Sequence, residues 1–157
     1  MHTYSTALGL IGATVPGHLV ADAGVPVLTG PQAQGDLLVL PVADPGPRRW
    51  PVIPAAGVQV VHGEATGNTH WLHRGFDSPG VSWCRRGERT DEPDDPALPA
   101  DELTVGYVQV PAGQSALLIH TDEHGANGIG PGTYAIRRKR QATLTFTGRS
   151  ATELVCD

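Results

Sequence analysis

Alternating stretches and short apolar runs, cut at close intervals by glycine and proline, mark this chain as strands joined by turns. The clearest alternation is Leu103-Thr104-Val105-Gly106-Tyr107-Val108-Gln109-Val110. A period of two sends successive side chains to opposite faces of a sheet. Gly35-Asp36-Leu37-Leu38-Val39-Leu40-Pro41-Val42 reads as a turn dipeptide followed by a buried strand. Val58-Gln59-Val60-Val61 and Val81-Ser82-Trp83-Cys84 are two further strands. Thr133-Tyr134-Ala135-Ile136 begins another that runs on to Gln141, and Ala142-Thr143-Leu144-Thr145-Phe146-Thr147 is a final alternating one. Val25-Pro26-Val27-Leu28 fits a short edge strand, since Pro26 has no N–H to give to a ladder. Trp50-Pro51-Val52-Ile53-Pro54 is extended and limited by its prolines, and the glycine-rich Gly125 to Gly132 reads as a turn.

No stretch carries the 3.6-residue period of an amphipathic helix. The pattern therefore predicts an all-β fold, a small barrel or sandwich of about seven to nine short antiparallel strands. It is expected to be a single domain over 1–157, with 1–30 as an N-terminal arm or edge strands. One segment departs from the pattern. Arg85 to Asp101 is charged, then acidic and broken by Pro93 and Pro96, and is expected to be a long mobile acidic loop.

Composition sharpens this picture in three places. With 157 residues the chain has enough length for one real core, and 20 glycines and 14 prolines favour turns over long helices. The formal charge of −5 argues against a general nucleic-acid binder. Arg137, Arg138, Lys139 and Arg140 are the one basic run through which such contact would be made. Cys84 and Cys156 establish neither a disulfide nor a redox motif. Ala7-Leu8-Gly9-Leu10-Ile11 is apolar, but it lacks a basic flank and is followed by Pro16 and His18. Neither a signal peptide nor a membrane span is expected. The expected location is cytoplasmic, or the virion if the chain is phage-encoded.

The candidate chemistry sits in two histidine segments. In His62-Gly63-Glu64-Ala65-Thr66-Gly67-Asn68-Thr69-His70, a three-residue turn at 65–67 would pair His62 with His70 and Glu64 with Asn68 across a hairpin. His62, Glu64 and His70 would then share a face. In His120-Thr121-Asp122-Glu123-His124, the two histidines share a face whether the segment is a strand end or a helical turn. Imidazoles this close can reach one ion, because zinc–nitrogen bonds are about 2.0–2.1 Å.

The expected site is therefore a zinc centre of His62, His70, His120 and His124. Neutral imidazole is the ligand form, so binding should weaken below about pH 6.5. A centre with three protein ligands keeps a position open for water, and Glu64 or Glu123 would be the general base of a metal-assisted hydrolysis. A four-histidine centre would be closed and structural. The same residues also suit solvated turns or a metal-free acid–base site. There is no H-E-x-x-H or C-x-x-C pattern to specify zinc further. A non-enzymatic module, such as a phage virion accessory, decoration protein or self-associating assembly subunit, is the alternative.

Gly35-Asp36, the His62 to His70 segment, His120 to His124, and Pro131-Gly132-Thr133-Tyr134 with Arg137 and Gln141 together resemble a group of small uncharacterised bacterial and phage proteins. The resemblance spans roughly residues 35–141 and implies no activity. Asn68 stands where that pattern has a histidine, and Asp122-Glu123 shifts its acidic position.

Overall fold

Gly35 and Asp36 show how the sequence sets the architecture. They form the whole loop between strand β2 (Gln32–Gln34) and strand β3 (Leu37–Pro41). Gly35 has φ +52 and Asp36 a negative φ. Positive φ at the first central position alone is the mark of a type II′ turn, whose twist matches that of the flanking strands. Gly35→Ala should cost about 1–2 kcal/mol through the left-handed backbone it forces on a Cβ, lowering Tm by roughly 3–8 °C. An unchanged melting temperature would show that the turn does not depend on glycine.

The computed structural model describes residues 1–46, 49–62, 69–87, 103–121, 123–144 and 150–154, and of 62, 140–144 and 150–154 the backbone alone. The remaining strands of the main body are β1 (Val27–Leu28), β4 (Val58–His62), β5 (Thr69–His73), β6 (Ser82–Arg85), β7 (Thr104–Val110), β8 (Ala116–His120), β9 (Ala126–Ile129) and β10 (Gly132–Arg138). They make two five-stranded sheets, in the orders β1-β9-β8-β5-β4 and β2-β3-β10-β7-β6. Every pairing in them is antiparallel except β1 with β9, which is parallel. The fold is a sandwich and not a barrel. A separate hairpin joins β11 (Arg140–Leu144) to β12 (Ser150–Leu154).

Between the sheets lies the main core. Leu37 and Val39 of β3, Val108 and Val110 of β7, and Tyr134 and Ile136 of β10 face Leu72 of β5 and Ala116 and Leu118 of β8. Each of these sets recurs at every second position, so one face of each sheet is spent on the interior. The other face of the first sheet is covered too. Leu117, Ile119 and Ala126 pack against Ala7, Leu8 and Val25 of the N-terminal arm. This explains why β8 is buried along its whole length. The arm holds a six-residue helix, α1 (Tyr4–Gly9), where the sequence pattern offered a strand or a docked arm. Thr3 caps it, accepting from the Thr6 N–H while the Thr6 side chain accepts from the Thr3 N–H.

Two readings of the pattern need correction. Gly125 to Gly132 contains strand β9 and is not simply a turn. Its glycines serve close approach: a Cβ on Gly128 would sit 2.7 Å from the Pro26 carbonyl oxygen and 2.8 Å from the Val27 side chain. The strand begun at Thr133 stops at Arg138, and β11 starts afresh at Arg140. β1 does lie at a sheet edge, as the placement of Pro26 suggests.

The edges of the sandwich are tied. The Gln32 side chain donates to the Gly128 carbonyl at 3.3 Å, and Asn127 donates to the Ala33 carbonyl at 3.2 Å. On the opposite side, the Arg85 guanidinium donates to the Val60 carbonyl at 3.1 Å and to that of Gln59. It thereby occupies acceptors on the outer strand β4 that would otherwise template another chain. Arg85 thus closes β6; from residue 88 onward the expected acidic loop lies outside the described residues, as do Cys156 and residues 145–147 of the last predicted strand.

Candidate functional site

His70 and His120 are partners in the β5–β8 ladder. Alternation puts His70 on the same face as Leu72, and His120 on the same face as Leu118, so both rings enter the space between the sheets. They are 2% and 0% exposed. Their ring centroids lie 4.4 Å apart at a tilt of 56°. The His124 ring stands 4.9 Å from that of His120 and closes the group from the solvent side, where His124 is exposed.

The hairpin register differs from the expected one. Val61 stands opposite His70, and His62 opposite Thr69. A bulge between Gln59 and Val61, where Val60 is the extra residue, brings Val61 to this place; without it Val60 would stand opposite His70. Val60 and Val61 are both buried in the main core, which a strictly alternating strand could not achieve with adjacent residues. The side chain of His62, and all of Glu64 and Asp122, lie outside the described residues. Of the expected ligands, the structure therefore brings together His70, His120 and His124.

Each buried ring has a set orientation. The Glu123 N–H donates to His120 Nδ1 at 3.2 Å. In the neutral ring the proton then resides on Nε2. Glu123 itself is exposed, and what it contributes to the cluster is this backbone donor. For His70 the neighbour is a carboxylate, with Asp36 Oδ1 3.6 Å from Nδ1. At that distance, just beyond hydrogen-bond length, the charge of the carboxylate favours the proton on Nδ1 over Nε2.

The surroundings hold these loops in place. The His120 N–H donates to the Gly125 carbonyl at 2.9 Å, closing the 120–125 turn. The buried Gln34 side chain reaches across from the second sheet to donate to the Leu118 carbonyl at 3.0 Å and the Gly125 carbonyl at 3.4 Å. Thr69 and Thr121 continue the β5–β8 contact past the histidine pair: the Thr121 N–H donates to the Thr69 carbonyl at 3.1 Å, and the Thr69 N–H to the Thr121 hydroxyl at 3.0 Å. Gln34 and Asp36 are members that hydrophobic patterning does not reveal. A Gly-Asp pair before an apolar run signals a turn, and nothing local signals what its side chain meets across the sandwich.

The arrangement can do two things chemically. Neutral imidazoles are metal ligands, and they are also proton acceptors. Among the described residues, no three His, Cys, Asp or Glu side chains stand in a metal-holding arrangement. Ligands on one ion have nitrogens no more than about 4 Å apart at bond lengths of about 2 Å. Ligation through His120 Nε2 requires release of the Glu123 N–H bond, worth about 1 kcal/mol net. Structural zinc supplies about 10–16 kcal/mol in small domains, so that bond is no barrier.

His73, three residues beyond His70, does not belong to the cluster. It is 2% exposed and accepts from the Gly75 N–H at Nδ1 at 3.0 Å. Burial, with the nearby His2 and Arg74, lowers its pKa from the ordinary 6.5, against an opposing hydrogen bond with the Ala55 backbone. The unfolded chain therefore binds a proton that the folded one refuses. Stability from this residue is present above about pH 6.5 and is lost as pH falls from there towards the folded pKa. Melting curves taken from about pH 8 down to about pH 5.5 should show Tm falling with acid, and His73→Gln should flatten that slope. An equal slope in the variant would assign the acid sensitivity elsewhere.

A buried histidine–carboxylate cluster inside a ten-stranded β-sandwich thus defines the class of protein. The chain belongs to the family described as a domain of unknown function, DUF8820, which matches residues 33–139. The match runs from Ala33, within β2, past the end of β10 and includes Asp36, His70, His120, His124 and Lys139. No curated protein and no solved structure matches the chain. Among the described residues, no helix is long and apolar enough to cross a membrane.

Proposed function

We propose that this chain is a small β-sandwich module that binds a divalent transition metal, zinc foremost, at the His70–His120–His124 cluster. The observation that carries this reading is the register pair itself. Two adjacent imidazoles, both enclosed and facing the interior, occupy positions that leucine or valine would fill without loss of hydration. A ligand that repays that desolvation accounts for their placement. Softer nitrogen ligands suit zinc over calcium or magnesium. His62 and Glu64 are the candidates to complete the set, and a coordination position left for water would make Glu64 or Glu123 the general base of a hydrolysis.

Elemental analysis of protein purified without chelator tests the reading. About one zinc per chain is expected, together with a rise in Tm on zinc addition. Protein that stays metal-free and gains no stability from zinc would overturn it. If that protein also self-associated, the alternative of an assembly subunit would replace it. The half-exposed Val27 and Leu28 on the edge strand β1 are the surface available for that role.

A further inference from the structure

The sequence offers Asp36 only as half of a turn. Its position in the fold is more specific. The β2–β3 turn reaches across the end of the sandwich, so that the Asp36 carboxylate, almost wholly enclosed, lies 3.6 Å from Nδ1 of His70. The turn that carries it is fixed from three directions. Gly35 supplies the positive φ, the Lys139 N–H donates to the Asp36 carbonyl at 2.9 Å, and the Lys139 ammonium donates to the Gly35 carbonyl. Lys139 is thus at work inside the fold, although its neighbours in sequence suggested a basic surface run.

We propose that Asp36 is the positioning residue of the metal site: it holds the His70 ring proton on Nδ1 so that Nε2 is the ligand atom. The assignment rests on the metal reading for its consequence, and on the Asp36–His70 geometry for its substance. A carboxylate behind a ligand histidine fixes the ring's tautomer and orientation and raises the basicity of the coordinating nitrogen. Here it also explains why an acidic side chain is enclosed at all. A carboxylate buried beside an imidazole N–H is far less costly than one buried alone. The partner ring makes the contrast plain. His120 Nδ1 faces a donor, the Glu123 N–H, where His70 Nδ1 faces a carboxylate.

The test has two arms. The first is the nitrogen-15 spectrum of the histidine rings in metal-free protein at about pH 8, where imidazoles are neutral. His70 is expected to carry its proton on Nδ1 in the wild type, and to populate both tautomers in Asp36→Ala. In Asp36→Asn, whose amide oxygen still accepts, the wild-type tautomer should be restored. A wild-type His70 with its proton on Nε2, or a tautomer unchanged in Asp36→Ala, would overturn the assignment. The second arm is titration with zinc ion alone. Asp36→Ala should bind about 10–100-fold more weakly than wild type, with Asp36→Asn between them. Equal affinities in Asp36→Ala and wild type would also overturn it. A wild type that binds no zinc while its His70 tautomer depends on Asp36 removes the metal reading and leaves Asp36 as the group that sets His70.

Discussion

His70→Ala is expected to abolish the proposed stoichiometric zinc binding, and His120→Ala to do the same; these are the largest functional effects expected. Each substitution deletes a proposed ligand from a cluster whose members are in ring contact. An affinity loss beyond about 100-fold is expected, exceeding the 10–100-fold that follows loss of a supporting residue. His18→Ala is the control, since His18 is exposed and remote in sequence from the cluster. Isothermal titration with zinc reads all three variants. Wild-type affinity in both His70→Ala and His120→Ala would place the metal elsewhere. The apo variants should be no less stable than wild type by more than about 1–3 kcal/mol, because removing a buried polar ring also removes its desolvation.

The largest effect on stability is expected from the same strand one layer deeper. Leu118 has no exposed surface and lies in the main core, with its carbonyl accepting from Gln34. Leu118→Ala leaves a cavity between two sheets that cannot collapse independently. The cost should be about 2–5 kcal/mol, a fall in Tm of roughly 5–15 °C for a chain of this size. Thermal unfolding followed by circular dichroism measures it. A shift under about 2 °C would mean that the sheets close over the gap or that β8 is not where the core is held.

Period-two patterning made most of the sandwich legible. Leu103 to Val110 and Leu37 to Val42 were readable because their alternation or their apolar run maps directly onto one enclosed face or two. What patterning could not supply was how strands meet. Gln32–Gln34 is a strand with two buried glutamines, polar in sequence and interior in the fold because each amide bonds a carbonyl of the other sheet. Gly128 and Gly130 read as turn residues, yet their bare Cα atoms make room for β1. The cluster followed the same rule. His120 and His124 were found as a pair because they are close in sequence. The hairpin argument set His62 opposite His70, whereas Val61 stands there. The neighbour of His70 in the ladder, His120, comes from the adjoining strand of the same sheet, while Asp36 comes from a turn of the other sheet that only the closed sandwich brings near.

The strand order has a consequence for how this protein comes into being. β3 cannot complete its sheet without β10, and β1 is paired only with β9. Val39 thus waits for Ile136, and Val27 for Gly128, before either is matched. At about 5–20 residues per second on the ribosome, the first half of the chain is exposed for seconds with its partner strands unmade. The growing chain cannot fold in stages from its N-terminus; the sheets assemble late and together, in a reaction slowed by the closure of long loops. A nascent chain that stalls before β10 emerges presents β3 to its surroundings without that partner strand.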